Sequence, residues 1–374
     1  MPSDPLSLAC HFADLPDPRV DRTKRHALGD ILVIALAAVV CGADSWEDME
    51  EFGRAKERLF RRFLALPNGI PSHDTFYRVF AALDPRRFAD CFGRWAAAVG
   101  EATGPVHIAI DGKAVRGTAG STFSGCRHLV SAWAAENRLI LGQQAVGECG
   151  HEITTIPELL KAPDPGGAVV TIDAAGCQTE IAERIRGEGG RYVPAVKGNR
   201  PKLDEAIRGR VTAAFEADFA GLAHDACESV DDGHGRHEGR YVTVIYDPPG
   251  LPAGWPDVAA VVAVSRERRA GDAYSTETGY YITSLAGSAA ELGGLARGHW
   301  GIENGLHWAL NVAFREDASR TRAGHAGENL GLLRRVPVSL LERAPGKRSI
   351  KGKRLKAGWD DDYLLQVLQG ITAN

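Results

Sequence analysis

The sequence predicts an α/β protein with a helical leading segment and a strand-rich stretch ahead of its last helices. Three observations predict it. Residues 1 to about 100 carry apolar residues at helical spacing. From residue 106 onward, short apolar runs such as VHIAI and AVVTI alternate with helix-like segments. Residues 218 to 285 then break that alternation with strand-like runs set between charged or glycine-rich turns.

The elements follow in order. The apolar run near 31 to 42 reads as a buried helix. SWEDMEEFGRAKERLFRRFLAL, 45 to 66, reads as a second, with Ser45 as N-cap and the acids Glu47 and Asp48 in the first turn. Residues 71 to 83 and 84 to 100 give two more, and Pro71 and Pro85 suit helix starts. Four short helices with basic faces fit a DNA-binding module, and equally a packing or dimerisation bundle.

VHIAIDG, 106 to 112, reads as a strand ending at Asp111-Gly112. Residues 127 to 146 read as two strands joined at Glu136-Asn137. A short helix over 154 to 162 is followed by a strand running directly into a helix over 167 to 189. RYVPAVKGN is another strand and PKLDEAIRGRVTAAFEA another helix. A continuous apolar run such as AVVTI suits a strand covered on both faces. RHEGRYVTVIYD, DVAAVVAVSRER and GYYITSL read as three further strands. HWGIENGLHWALNVAFRED, 299 to 317, reads as a helix, although Asn304-Gly305 also suits a turn. AGENLGLLRRVPVSLLER reads as a helix kinked at Pro337, and DDYLLQVLQG as a last short helix after a basic stretch.

Bulk composition narrows the class. With 374 residues, 44% hydrophobic and 25% charged, the chain has an ordinary globular composition and room for a sizeable core. Its seven cysteines are odd in number and contain no CxxC, which argues against a disulfide framework or zinc ribbon and fits a reducing cytoplasm. The longest apolar run, 31 to 43, is too short to span a bilayer, and the start lacks the basic n-region of a signal peptide. The formal net charge of −4 weighs against a nucleic-acid ligand. Local runs such as Arg61-Arg62 and GKRSIKGKRLK keep phosphate binding open, though a solvated surface explains each run alone.

Three acids stand out. Asp111 and Asp173 fall where strands end, the place where open α/β sheets build sites. Glu303 sits between His299 and His307, one turn to either side on a helix, at the margin of an apolar face. A carboxylate so placed needs compensation. A hard divalent ion held by three carboxylates would supply it. Each acid also has a plain structural reading. Asp111-Gly112 is ordinary turn chemistry, Asp173 can cap the following helix with help from Gly176, and Glu303 can pair with Arg297. A rival zinc reading uses His299, Glu303 and His307, or His234 and His237 near Cys227, but neither shows four tightly spaced ligands. Trp300 and Trp308 read as core residues, with stacking on an unpaired base as the alternative.

Several stretches together carry a resemblance. IAIDGKAVRGT, VTIDAAGCQTEIAERI, YVPAVKGNRP, YYITSL and RGHWGIENGLHW, with the later FREDASRTRAGHAGENLGLLRR, resemble the ISAs1-type branch of the IS4-like DDE transposases. LPDPRVDRTKRHALGDILVIALAAVVCGADSWEDMEEF and IPSHDTFYRVFAALDP resemble the segment that precedes the catalytic domain there. The likeness runs in the same order over nearly the whole chain.

The resemblance implies an RNase H-like fold, a mixed five-stranded sheet flanked by helices. It implies a helical N-terminal domain over 1–103, a catalytic domain over 104–335 with a β-rich insertion at about 218–285, and a basic C-terminal tail with a short helix over 336–374. Asp111, Asp173 and Glu303 would be the catalytic, metal-holding acids, with two Mg2+ ions that Mn2+ can replace. Lys113, Arg116, Lys197, Arg297, Arg320 and Arg322 would contact phosphate, or else be plainly solvent-exposed. The implied reaction cuts insertion-sequence ends and joins them to target DNA, by a homodimer on double-stranded DNA in the cytoplasm, at the nucleoid, with no membrane involved. A DNA-binding protein that has lost catalysis, or an RNase H-like nuclease without strand transfer, are the alternatives. Around the last acid, many IS4-like enzymes carry Tyr, Arg and Lys, where this chain has Ala296, His299 and Leu310. Asn311 stands where the ISAs1-like pattern tends to have Asp.

Overall fold

A computed structural model describes residues 11–100, 107–119, 127–147, 150–161, 166–233, 236–271 and 273–369. Packing groups the chain into two compact units. One takes Met1–Gly104, Gly112–Gly150 and Glu303–Asn374, the other Pro105–Asp111 and His151–Ile302.

In the first unit, α1 (Leu28–Cys41) is apolar on nearly every side and is accordingly buried from Ile31 to Val40 apart from Val33. α2 (Trp46–Ala55) begins where the sequence places a cap. The Ser45 hydroxyl accepts from the Asp48 amide, and the Asp48 carboxylate accepts from the Ser45 amide. The expected 45–66 helix is shorter: it breaks at Lys56, resumes as α3 (Glu57–Phe60) and stops there. α4 (His73–Ala82) and α5 (Pro85–Gly100) follow the periodicity closely.

Later in the same unit come the antiparallel hairpin β2 (Arg127–Ala134) and β3 (Leu139–Ala145), then α10 (Trp308–Val312), α11 (Ala326–Arg343), α12 (Ile350–Trp359) and α13 (Asp361–Gln369). α11 runs through Pro337 as one helix and packs against α1, α4 and the hairpin. The Ser339 hydroxyl accepts from the Ile140 amide, fixing helix to hairpin.

The basic run after residue 346 divides: Lys347, Arg348 and Lys351 are exposed, but two of its cations are packed inside. Lys353 and Arg354 are buried on α12. Lys353 Nζ donates to the carbonyls of Leu341 and Ala344, which closes the C-terminal end of α11. The Arg354 guanidinium lies 4.0 Å from the Phe314 ring centroid and donates to the carbonyls of Val39 and Ala313.

The second unit is built on a mixed sheet. Its strands are β1 (His107–Val115), β4 (Val169–Ile172), β5 (Arg191–Val196), β6 (His224–Gly233), β7 (Arg236–Tyr246), β8 (Ala260–Ala270) and β9 (Ala273–Thr283). Strand β1 starts in this unit and continues past Asp111 into the other. The order here is β1-β4-β5-β9-β8-β7-β6. β1, β4 and β5 run parallel, and β9 joins β5 antiparallel. The insertion therefore extends the central sheet instead of forming a separate one.

Helices α6 (Glu152–Leu159), α7 (Thr179–Gly187), α8 (Pro201–Glu216) and α9 (Ala289–Gly301) complete the unit. Ala289 and Leu292 of α9 share a core with Val193, Val242, Val244, Ala260 and Val262. The mixed sheet flanked by helices is the one the resemblance implies.

Two strands differ from expectation. β6 was hidden because its sequence, HDACESVDDG, is acidic and lacks apolar alternation; it is the sheet's edge strand, where charge blocks further pairing. β9 begins at Ala273, well before GYYITSL, and its first six residues are exposed.

Arg354→Ala is expected to lower unfolding stability by about 3 kcal/mol, since it removes a buried cation that bonds two carbonyls and covers an aromatic face. Chemical denaturation checks this; an unchanged midpoint would mean the contacts contribute nothing.

Candidate functional site

The parallel register of β1 and β4 builds the site. His107 pairs with Val169, Ala109 with Thr171 and Ile110 with Ile172. Asp111 and Asp173 are the next residues on each strand, and adjacent strands lie about 4.8 Å apart. By strand alternation, His107 and Asp111 share a sheet face, and Thr171 leads to Asp173 on that same face. Asp111 is not the end of its strand, because β1 continues to Val115. Only its pairing with β4 stops there.

Asp173 is half-buried and accepts a hydrogen bond from the Gly176 amide at 3.2 Å. Gly176 is required: a Cβ there would stand 2.2 Å from Ile172 Cγ2. Burial pushes the Asp173 carboxyl above its ordinary value, and Glu152 adds to the push. The amides of Gly176 and Ala175 and the cation of Lys197 offset this only in part.

Thr171 and His107 form a buried layer beneath the aspartates. The His107 Nε2 lies 2.7 Å from Thr171 Oγ1, and His299 Nδ1 of α9 lies 3.1 Å from the same oxygen. Burial, then the neighbouring His107, hold the His299 pKa down to about 4. His299 Nδ1 is thus engaged with a hydroxyl, and the zinc reading finds no cluster of three or more His, Cys, Asp or Glu among the described residues. His237 bonds Asp232 on the surface, and its expected partner His234 lies outside the described residues.

Glu303 falls on a π-helical turn, Ile302–His307, between α9 and α10. Glu303 is exposed to solvent while His299 is hydrogen-bonded to Thr171, so the histidine-acid-histidine face expected of an α-helix is not formed. Glu303 is exposed, not partly buried, and Trp300 and Trp308 are exposed too, at 43% and 55%, so neither is a core residue. Among the described residues, no group of three or more His, Cys, Asp or Glu side chains is gathered closely enough to hold a metal ion. The structure thus supplies the aspartates as a pair and Glu303 on a turn of its own. The boundary between the two units falls after Asp111 and again before Glu303.

The expected phosphate contacts divide. Lys197 and Arg320 are exposed, and Arg116 is 84% exposed with Asp317 3.8 Å away. Arg297 pairs with Asp231 at 2.7 Å, not with Glu303. Arg322 donates to the carbonyls of Gly117 and Ala119 and so braces a turn. Lys113 is the clear correction. It is buried, 2.7 Å from Asp317 and 3.2 Å from Glu316, so it is neither a solvent-exposed side chain nor a free phosphate contact.

Glu316 is itself fully buried and meets Arg335 Nη1 at 2.6 Å, while Arg335 Nε donates to Ser131 Oγ. Burial alone would raise the Glu316 carboxyl; Arg335, Lys113 and Arg334 outweigh it and hold the carboxyl below its ordinary value. Sequence reasoning missed this network and the His107–Thr171–His299 chain. The one signal for the former was an acid pair in FREDASR directly after an apolar stretch.

Comparison with known proteins now decides the family. Residues 102–334 match the family described as "Transposase DDE domain", a span that contains Asp111, Asp173 and Glu303. The chain belongs to the IS4-like DDE transposase family. Residues 9–96 match a second family, described as "DDE_Tnp_1-associated". Among relatives, the chain is 36% identical over 374 residues to the Escherichia coli K12 protein named "H repeat-associated putative transposase YhhI", covering 96% of this chain and 97% of that one. It is 35% identical over 370 residues to the E. coli O157:H7 "Putative transposase YncI", covering 97% and 94%. It is 41% identical over 278 residues to a Xanthobacter autotrophicus protein named "Uncharacterized protein in dhlA 3'region", covering 73% and 92%. Among the described residues of this transposase-family chain, no single helix is long and apolar enough to cross a membrane.

Two expected outcomes follow from the charges. Ionised Asp173 carries a burial cost, since its folded pKa stands above the ordinary 3.8; stability falls as pH rises through that raised value. Asp173→Asn should therefore raise the Tm of metal-free protein at neutral pH, by about 2–5 °C; a lower Tm contradicts the burial argument. Glu316 behaves oppositely: its folded pKa lies below 4.5, so its contribution is complete above that pH and lost as pH falls through the lowered value. Glu316→Gln should cost about 3–5 kcal/mol at pH 7 by stranding buried Arg335, measured by denaturant unfolding.

Proposed function

We propose that this chain is a transposase that cuts the ends of an insertion sequence and joins them to target DNA. The observation that carries the proposal is the β1–β4 register inside the matched domain, with Asp111 and Asp173 on neighbouring strands. Two carboxylates that follow paired residues of neighbouring strands, one of them with a raised pKa, suit a site that a cation stabilises. The oxygen donors suit a hard divalent ion. Asp111, Asp173 and Glu303 are proposed to hold two Mg2+ ions, with Mn2+ as substitute. When bound, such ions acidify the attacking water and neutralise charge on the leaving oxygen at phosphorus.

The chain's own residues prepare that chemistry. Asp111 and Asp173 must be ionised to act, so the raised Asp173 pKa places an acid limb on activity. Glu303, on an exposed turn, supplies the third carboxylate. Lys197, Arg116 and Arg320 are exposed cations suited to phosphate contacts, and Arg297 and Arg322 contribute charge while already paired or braced. Cutting frees a 3′ hydroxyl, which then attacks target DNA; neither step needs a covalent protein–DNA intermediate. The remainder of the proposal is a homodimer on two double-stranded DNA ends, in the cytoplasm at the nucleoid. The helical segment 1–103 serves DNA binding or dimerisation, 104–335 catalysis, and 336–374 packs as a basic C-terminal piece.

A second reading, a relative that binds DNA without cutting, is favoured by one observation: no three ligand-type side chains are gathered among the described residues.

Purified protein with its element ends in Mg2+ separates these. Asp111→Ala, Asp173→Ala and Glu303→Ala should each slow end cleavage by about 1,000-fold or more while DNA binding and a cooperative fold persist. Wild-type cleavage retained in all three would refute the assignment. Specific end binding with no cutting by wild type would establish the second reading, and cutting without joined products an RNase H-like nuclease.

A further inference from the structure

The His107–Thr171–His299 chain lies outside the three proposed acids. Each member belongs to an element at the site. His107 is on β1 four residues before Asp111, Thr171 is on β4 two residues before Asp173, and His299 is on α9. His107 and Thr171 project from one sheet face, since Thr171 pairs with Ala109, and Asp111 continues the same alternation on β1, while Asp173 directly follows β4.

The helix sits unusually close to that face. A Cβ on Gly298 would stand 2.8 Å from the His107 ring, so only glycine allows this approach. A hydroxyl has one proton and a pair of acceptor sites. With His107 Nε2 at 2.7 Å and His299 Nδ1 at 3.1 Å, Thr171 Oγ1 donates to one ring and accepts from the other. The His299 ring can then stay neutral, in keeping with its low pKa. A charged side chain at residue 299 would bring an uncompensated charge into this layer.

We propose that His299, Thr171 and His107 are positioning residues: their hydrogen-bonded chain locks α9 onto β1 and β4 and so fixes the spacing at which Asp111 and Asp173 present their carboxylates. This rests on the reading of those aspartates as the reacting carboxylates. None of the three touches substrate; they act through the strands. Neighbouring strands tolerate small slides, and a hydroxyl clamped between two rings on different elements resists them. The same clamp sets where α9 ends, two residues before Glu303.

Thr171→Val tests this, because it keeps side-chain shape and removes the hydroxyl. Three quantities are read: the Mn2+ concentration giving half of the metal-induced Tm shift without DNA, single-turnover cleavage at saturating DNA, and hydrogen exchange in α9. The expected result is a rise of about tenfold in the Mn2+ midpoint and a fall of about tenfold in cleavage per folded molecule. Thr171→Ser should restore both, and Gly298→Ala should reproduce the defect by pushing α9 outward. A Thr171→Val protein whose Mn2+ midpoint and cleavage per folded molecule match wild type overturns the proposal, even if its Tm is lower, for then the chain is only structural. If wild type itself neither cuts nor responds to Mn2+, the transposase reading fails separately. Hydrogen exchange then decides for the clamp: faster exchange in α9 of Thr171→Val, reversed by Thr171→Ser, retains it, and unchanged exchange overturns it.

Discussion

Parallel pairing of β1 with β4 is the constraint on which the rest depends. It requires two aspartates to leave neighbouring strands side by side, on one face of a sheet. Burial raises the cost of ionising Asp173, and the charge of Glu152 adds to it. The arrangement becomes reasonable once a divalent cation is part of the working state. Membership of the DDE transposase family supplies a context in which that cation belongs.

Around this costly pair the chain is firmly built. Below it, two imidazoles share one hydroxyl, and burial disfavours charge on His299. Beyond it along β1, Lys113 is held within a buried network of Glu316, Asp317 and Arg335. The two devices differ in kind. The first avoids charge, and the second balances charge by close pairing at nearly complete burial. A lysine so engaged is unavailable to DNA. Local basicity read from sequence therefore overstates the cationic surface, as it also does at Lys353 and Arg354.

Much of the fold was legible in the sequence because periodicity records burial. AVVTI, the Ser45 cap and the hairpin turn near Glu136-Asn137 each follow from local chemistry, and each element is where its pattern places it. The first two failures share a cause: neither element carries an apolar period of its own. The acidic edge strand His224–Gly233 is specified by its neighbour β7, not by an apolar pattern of its own. The π turn at Glu303 leaves no signature beyond Asn304-Gly305 and the surrounding glycines. For the site, Asp111 and Asp173 were legible as strand-associated acids. That they follow paired residues was not, and neither was the Thr171 link between two histidines far apart in the chain. Trp300 and Trp308 misled because aromatic residues at helical spacing usually mark a core, whereas both are exposed here.

The most direct measurement is a Mn2+ titration followed by electron paramagnetic resonance of the free ion, on wild type and on Asp111→Asn and Asp173→Asn proteins of verified fold. The account predicts that wild type removes Mn2+ from solution with saturable stoichiometry and that either substitution weakens binding by about a hundredfold. Equal Mn2+ uptake by all three proteins would contradict it, because the neighbouring strand carboxylates would then not be the ligands.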